Sequence, residues 1–333
     1  MGQLIVDGML STKQFWPTGT ADADTATIQI KPTAFYYKSS PSAGRKKLKS
    51  FEGAYTQGKY GKTLVIKNGK MSVRLQGIDA PELHYRPTLA SKGYTPAQRK
   101  RFNDYNEDYR QAYAETSAAT LGKFTKGLGA EIPCVAISQV DRPTDVFDVY
   151  GRFVGDVRVM KGNKEVNLNH WVLKSGLAIP GIYDSMTKVE IDAVLSAYKK
   201  GAPTLDNWYV NKVVKFSAKK VFRRNPTDPR PDAGAKSGSF FHPKLFRRQA
   251  LHYALSSAKI VNAGFAEYLG TLSDDFLLLA SFLEYGKDSD RNPLATMLDG
   301  SSLRYAATEV VFTESSSRLL DSKGKFMDSW RFA

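Results

Sequence analysis

Apolar and polar residues alternate through several short stretches in the first half of the chain. ATIQI (26–30), KTLVIKN (62–68), MSVRLQGI (71–78), EIPCVAIS (131–138) and FVGDVRVM (153–160) each predict a strand with one buried face. Two stretches switch to the helical period. Between Arg110 and Lys126, Tyr113, Ser117, Leu121 and Phe124 recur at helical spacing and Gly127 follows as a stop signal. Between Thr187 and Lys200, Val189, Ala193, Leu195 and Tyr198 fall on or near one face. Beyond Pro243 the segments FRRQALHYALSSAKIVNAGF, DDFLLLASFLEYG and SSLRYAATEVVFTESSSRLL read as mainly helical. The stretch after Trp208 is rich in Pro, Gly and cations and reads as a linker. The pattern therefore predicts three consecutive blocks: residues 1–212, which Asn207 and Trp208 would seal, a basic linker over 213–242, and a helical domain over 243–333.

Composition narrows the class. A chain of 333 residues with 42% hydrophobic content is long enough for two buried cores. The apolar run FLLLASFL, Phe276 to Leu283, is too short to span a bilayer. The N-terminus lacks the basic start and apolar core of a secretory signal, and Val6 breaks the myristoylation pattern that Met1-Gly2 begins. No membrane partner is expected, and a cytoplasmic location is. Cys134 is the only cysteine, which excludes an intramolecular disulfide and a thiolate metal cluster. A net charge of +15 predicts attraction to polyanions, nucleic acid above all, with a merely solubilising surface as the alternative. His242 and His252 have no neighbouring carboxylate or thiolate pattern and read as packing or surface residues.

The candidate chemistry lies in three segments: Asp24 in ADADTATI; Arg74, Asp79 and Glu82 in VRLQGIDAPEL; and Arg152 in VYGRFVGDVRV. Two arginines and three carboxylates suit a metal-dependent phosphodiesterase. Attack on a phosphodiester adds negative charge to phosphoryl oxygens, and carboxylates alone would repel an anionic backbone. A hard divalent cation held by oxygen ligands such as Asp24 and Asp79 would offset that charge. Arginine forks match phosphate oxygens and tighten as charge develops. Glu82, behind the stiffening Pro81, is left to accept a proton from water.

These segments resemble the staphylococcal nuclease family in kind and in order: an Asp-Gly-Asp-Thr-like strand start, an Arg-to-Asp-Pro-Glu turn and a Tyr-Gly-Arg hairpin. VNLNHWVLKSGLAIPGIY, Val166 to Tyr183, is similar to the helix and exit loop that follow. The resemblance covers roughly the first two-thirds of the chain. It implies an α+β fold in which a five-stranded barrel of the oligonucleotide-binding type packs with helices, ahead of the mainly α-helical C-terminal region. It implies Asp24, Asp79 and the Ala80 carbonyl as ligands of Ca²⁺ or another divalent cation, Glu82 as general base, and Arg74 and Arg152 as the phosphate-binding pair. Hydrolysis of DNA or RNA to 3′-phosphate products follows from it. Ala23 and Ala80 depart from the usual glycine and threonine, and insertions fall near 31–69 and 84–110. Tyr150 and Tyr183 are candidates for stacking on bases. The first insertion places Arg45, Lys46, Lys47 and Lys49 among Phe51, Tyr55 and Tyr60, as in a flexible arm that follows a phosphate backbone or in an ordinary solvated loop. Two other classes stay open: a nucleic-acid-binding module that does not cut, and an adaptor whose helical region binds a protein partner or a second copy.

Overall fold

The computed structural model describes residues 1–58, 61–90, 92–106, 108–205, 240–300, 302–314 and 317–333. The chain divides into two compact units that interleave in sequence: residues 1–76, 120–172 and 314–333 form one, and 77–119 and 173–313 the other. The apolar pattern had suggested consecutive blocks. Most of the 213–242 linker, with Asn207 and Trp208, lies outside the described residues.

The first unit is built on five strands: β1 (Gln3–Ser11), β2 (Thr25–Lys38), β3 (Lys70–Leu75), β4 (Glu131–Gln139) and β5 (Phe153–Lys161). β1 pairs with both β2 and β4, β2 with β3, and β4 with β5. A parallel pairing of β3 with β5 closes the barrel, as the resemblance implied. Alternation puts Leu4, Val6, Ile28, Val73, Ala136 and Val157 inside with essentially no exposure.

KTLVIKN does not form the strand its pattern predicts. Only Gly61–Leu64 is extended, paired with Tyr55–Gly58, and Arg318–Leu320 joins as a third strand. Val65 and Ile66 are buried beyond the strand, and the left-handed turn at Asn68 and Gly69 reverses the chain into β3. Nor is the basic insertion a free arm. Lys46 and Lys47 pair with Tyr37 and Tyr36 of β2, and Phe51 and Tyr55 are buried. Phe51 lies 5.1 Å from the Phe35 ring and 5.7 Å from Phe147, so it belongs to the core and offers no face to a base. Tyr60 lies outside the described residues.

In the second unit, helix α1 (Pro96–Tyr105) lies inside the second insertion. Its start is fixed locally: Thr95 and Gln98 form a reciprocal capping box with Pro96 at the first turn. Helix α2 (Ala114–Lys126) begins four residues after the Arg110 start that periodicity suggests, because Tyr113 has φ 66, which no α-helix admits. Helix α3 (Leu168–Lys174) follows β5. Helix α4 (Lys188–Leu205) buries Ile191, Val194, Ala197 and Tyr198, whereas Val189 is 78% exposed, so the face read from sequence is rotated.

The C-terminal region holds helix α5 (Pro243–Ser257) and shorter helices Phe265–Gly270 and Leu279–Tyr285. It also holds strands where the pattern predicts helix. Asp275–Leu278 pairs with Val310–Phe312, burying Phe276, Leu277, Val311 and Phe312. The apolar run is continuous because this strand is covered on both faces, a pattern that periodicity cannot separate from a buried helix. Phe102 of α1 packs on Ala254, Leu255 and Ala258 around α5 and on Tyr268. Among the described residues no helix is long and apolar enough to cross a membrane.

Candidate active site

The first unit positions Asp24, Arg74, Tyr150 and Arg152. Thr25 lies opposite Arg74 in the β2–β3 ladder, and the Leu75 amide donates to the Asp24 carbonyl at 2.8 Å. That register sets the Arg74 Nη1 3.4 Å from Asp24 Oδ2, while the Thr25 hydroxyl donates to Oδ1 at 3.1 Å. Both charged side chains are nearly buried, so their fields are screened far less than at a surface.

Arg152 follows a tight turn at Gly151, whose φ is 75. A Cβ at Gly151 would meet Thr63 Cγ2 at 2.9 Å, so the hairpin from the first insertion covers the turn. Asp148 holds the turn: its Oδ1 accepts from the amides of Tyr150 and Arg152, and its Oδ2 accepts from Arg152 Nε at 2.7 Å. The guanidinium also lies 5.3 Å from the Tyr150 ring centre, and that ring is 45% exposed. Sequence reasoning missed Asp148 as the group that orients Arg152. Arg45, Lys46, Lys47 and Lys49 are all exposed. Arg45 pairs loosely with Asp7 at 3.7 Å, and the Lys46 ammonium lies 5.7 Å from the Phe332 ring.

The second unit positions Asp79, Ala80, Glu82 and Tyr183. Short strand Gly77–Asp79 pairs with Ile179–Gly181, with Asp79 opposite Ile179. Gly181 permits this approach, since a Cβ there would lie 2.9 Å from Asp79 Cγ. Tyr183 forms a bridge with Phe312, and its half-buried ring is 6.3 Å from the Phe312 ring. Glu82 is 5% exposed. Its amide donates to Gln111 Oε1 at 2.8 Å, and its carbonyl accepts from the Gln111 amide at 2.9 Å. Arg247 on α5 donates from Nε to Glu82 Oε1 at 2.9 Å, and its Nη2 donates to the same oxygen. Neither Gln111 nor Arg247 carries a sequence signal that would mark it.

Three cations project from the first half of α5. Beside Arg247, Arg248 pairs with Asp274 at 2.6 Å, and Lys244 donates to the Asp275 carbonyl at 3.3 Å. Burial pushes the Lys244 ammonium below the ordinary lysine value; Asp274, Asp275 and Asp79 act against that shift and Arg248 adds to it.

His242, at the start of α5, is fully buried with its ring edge-on to Phe312, and neither ring nitrogen has a hydrogen-bond partner among the described residues. Burial, reinforced by Lys244, pulls its pKa from 6.5 down to about 3. The folded state thus holds a neutral imidazole where the unfolded chain binds a proton. Stability from this residue is complete above pH 6.5 and is lost as pH falls toward 3. At pH 4.5 the expected loss is about 2–3 kcal/mol. Urea unfolding at pH 4.5 and 7.5 checks this: His242→Leu should show a smaller drop between the two than the wild type, and equal drops would remove the assignment.

The donors assigned to a cation, Asp24, Asp79 and the Ala80 carbonyl, are all oxygens, which suits a hard ion such as Ca²⁺. Among the described residues no cluster of three or more His, Cys, Asp or Glu side chains forms a metal cage. Cys134 takes no part: it is buried, and burial, with Asp7 adding, pushes its thiol up to about 12.

Residues 72–204 match the family described as staphylococcal nuclease homologue. The match takes in Arg74, Asp79, Ala80, Glu82, Tyr150, Arg152 and Tyr183; Asp24 precedes it and α5 follows it. No curated protein matches the chain.

Proposed function

We propose, taking the nuclease-family match over residues 72–204 as premise, that this chain is a Ca²⁺-dependent nuclease that hydrolyses DNA or RNA to products ending in 3′-phosphate. The observation that supports it most is the strand pairing of Thr25 with Arg74. It adds Asp24, which lies outside the matched stretch, to a buried ion pair with one of the two arginines the chemistry needs.

In this reading Asp24, Asp79 and the Ala80 carbonyl would hold Ca²⁺, which would supply charge neutralisation and polarisation of the phosphodiester. Glu82 takes a proton from the attacking water, whose oxygen forms the new bond to phosphorus while the bond to the 5′-oxygen breaks. Arg74 and Arg152 bind the phosphoryl oxygens and offset the charge that grows on them. Asp148 keeps the Arg152 fork aimed, and Tyr150 and Tyr183 offer rings to the flanking bases. The exposed row Arg45, Lys46, Lys47 and Lys49, fixed on folded backbone, extends the contact along the phosphates.

The test is cleavage of end-labelled single- and double-stranded DNA and RNA with Ca²⁺, Mg²⁺ or EDTA. Cutting with Ca²⁺ that EDTA abolishes, leaving 3′-phosphate ends, is the expected result. Tight binding with no cutting under any condition would overturn it in favour of a binding module.

A further inference from the structure

The C-terminal region lies beyond the family match, yet two of its groups converge on Glu82. The first is Arg247, which reaches back 165 residues to donate twice to Oε1. The second is the Phe241 carbonyl, which accepts from Gln111 Nε2 at 2.8 Å, and Gln111 in turn bonds both the amide and the carbonyl of Glu82. Backbone and side chain of the same glutamate are therefore tethered to one segment, 241–247.

That segment is rigidly mounted. Phe241 is buried, α5 packs through Ala254 and Leu255 against Phe102, and Arg248 is pinned to Asp274 beside Arg247. A glutamate side chain has three rotatable bonds, and a base must aim one oxygen at a water to within a fraction of an ångström. Two charge-assisted bonds to Oε1 fix the carboxylate plane and leave Oε2 as the oxygen to receive the proton. The Arg247 side chain is 34% exposed but that of Glu82 only 6%, so removing the arginine leaves a nearly buried carboxylate without this partner, a cost to folding that melting temperature reads separately from kcat. In the folded protein the pair fixes where Glu82 is held.

We infer that Arg247 is a positioning residue of the hydrolytic site, acting through Glu82, and that the C-terminal region thereby completes the nuclease domain. This rests on Glu82 being the general base. An arginine that instead masked the base, as an inhibitory latch, would produce the opposite change on removal.

The experiment compares full-length wild type, Glu82→Gln, Arg247→Ala, Arg247→Lys and the Glu82→Gln/Arg247→Ala double variant in Ca²⁺-dependent cleavage of a labelled oligonucleotide, with melting temperature measured alongside. Arg247→Ala should lower kcat about 10–100-fold and leave KM within about threefold, because the lost group aims the base and does not hold substrate. Added guanidinium ion should restore part of that loss, and Arg247→Lys should retain part of the activity, neither of which a general folding defect would show. The double variant should cut no more slowly than Glu82→Gln alone. If Glu82→Gln is inactive while Arg247→Ala is as fast as wild type or faster, this inference falls and the nuclease reading stands. If Arg247→Ala does not fold, wild-type kcat in a folded Arg247→Gln overturns the inference equally. If wild type cuts nothing, or Glu82→Gln cuts normally, the reading of Glu82 falls and the inference with it.

Discussion

Glu82→Gln is expected to slow Ca²⁺-dependent cleavage by about 10²–10⁴-fold, the usual worth of a positioned general base. The amide keeps the size of the side chain and one carbonyl oxygen that can still accept from Arg247, so the local structure should survive. The backbone bonds to Gln111 do not depend on the side chain at all. What is lost is the capacity to take a proton. Binding of a labelled oligonucleotide should therefore stay close to wild type while the single-turnover rate collapses. Cleavage at more than a tenth of the wild-type rate would show that another group activates the water.

Glu115→Ala is expected to destabilise the fold by about 3–5 kcal/mol, enough to remove a large share of a typical 5–15 kcal/mol total. Glu115 and Arg110 form an ion pair in the second unit, with side chains 0% and 2% exposed. Deleting the carboxylate takes this partner from a guanidinium that is 2% exposed, and the desolvation of that charge, more than the lost attraction, sets the size of the effect. Glu115 Oε2 already lacks a hydrogen-bond partner among the described residues, so the native pair is itself incompletely satisfied. Replacing both residues, as in Arg110→Met with Glu115→Leu, should accordingly cost less than Glu115→Ala alone. Denaturant midpoints of the two variants check both statements; a larger loss in the double replacement would mean that the pair is a net stabiliser.

Strands β2 to β5 of the barrel were legible because apolar and polar residues alternate along them and the apolar ones face one core, so local pattern and tertiary burial agree. Arg74, Asp79, Glu82 and Arg152 were visible because their chemistry is packed into short motifs. Three things were not. Phe51 and Tyr55 sit among lysines, and nothing local says that the rings turn inward while the ammonium groups stay out. The strand at Asp275–Leu278 reads as helix because burial on both faces erases the alternation. Arg247 is one of two adjacent arginines in FRRQALHYALSS, and only the path of the chain brings it to Glu82. Residues that support a site from far along the sequence have no spacing rule to betray them.

The interleaving of the two units limits how this protein can be taken apart. The first unit needs residues 314–333, and Leu319 among them is fully buried beside the hairpin that covers the Tyr-Gly-Arg turn. The second draws on both 77–119 and 173–313. A gene fragment that stops at residue 212 thus encodes neither unit whole, and it leaves apolar surface on both without its cover. Recombination at a single breakpoint could not transplant either unit as an intact cassette.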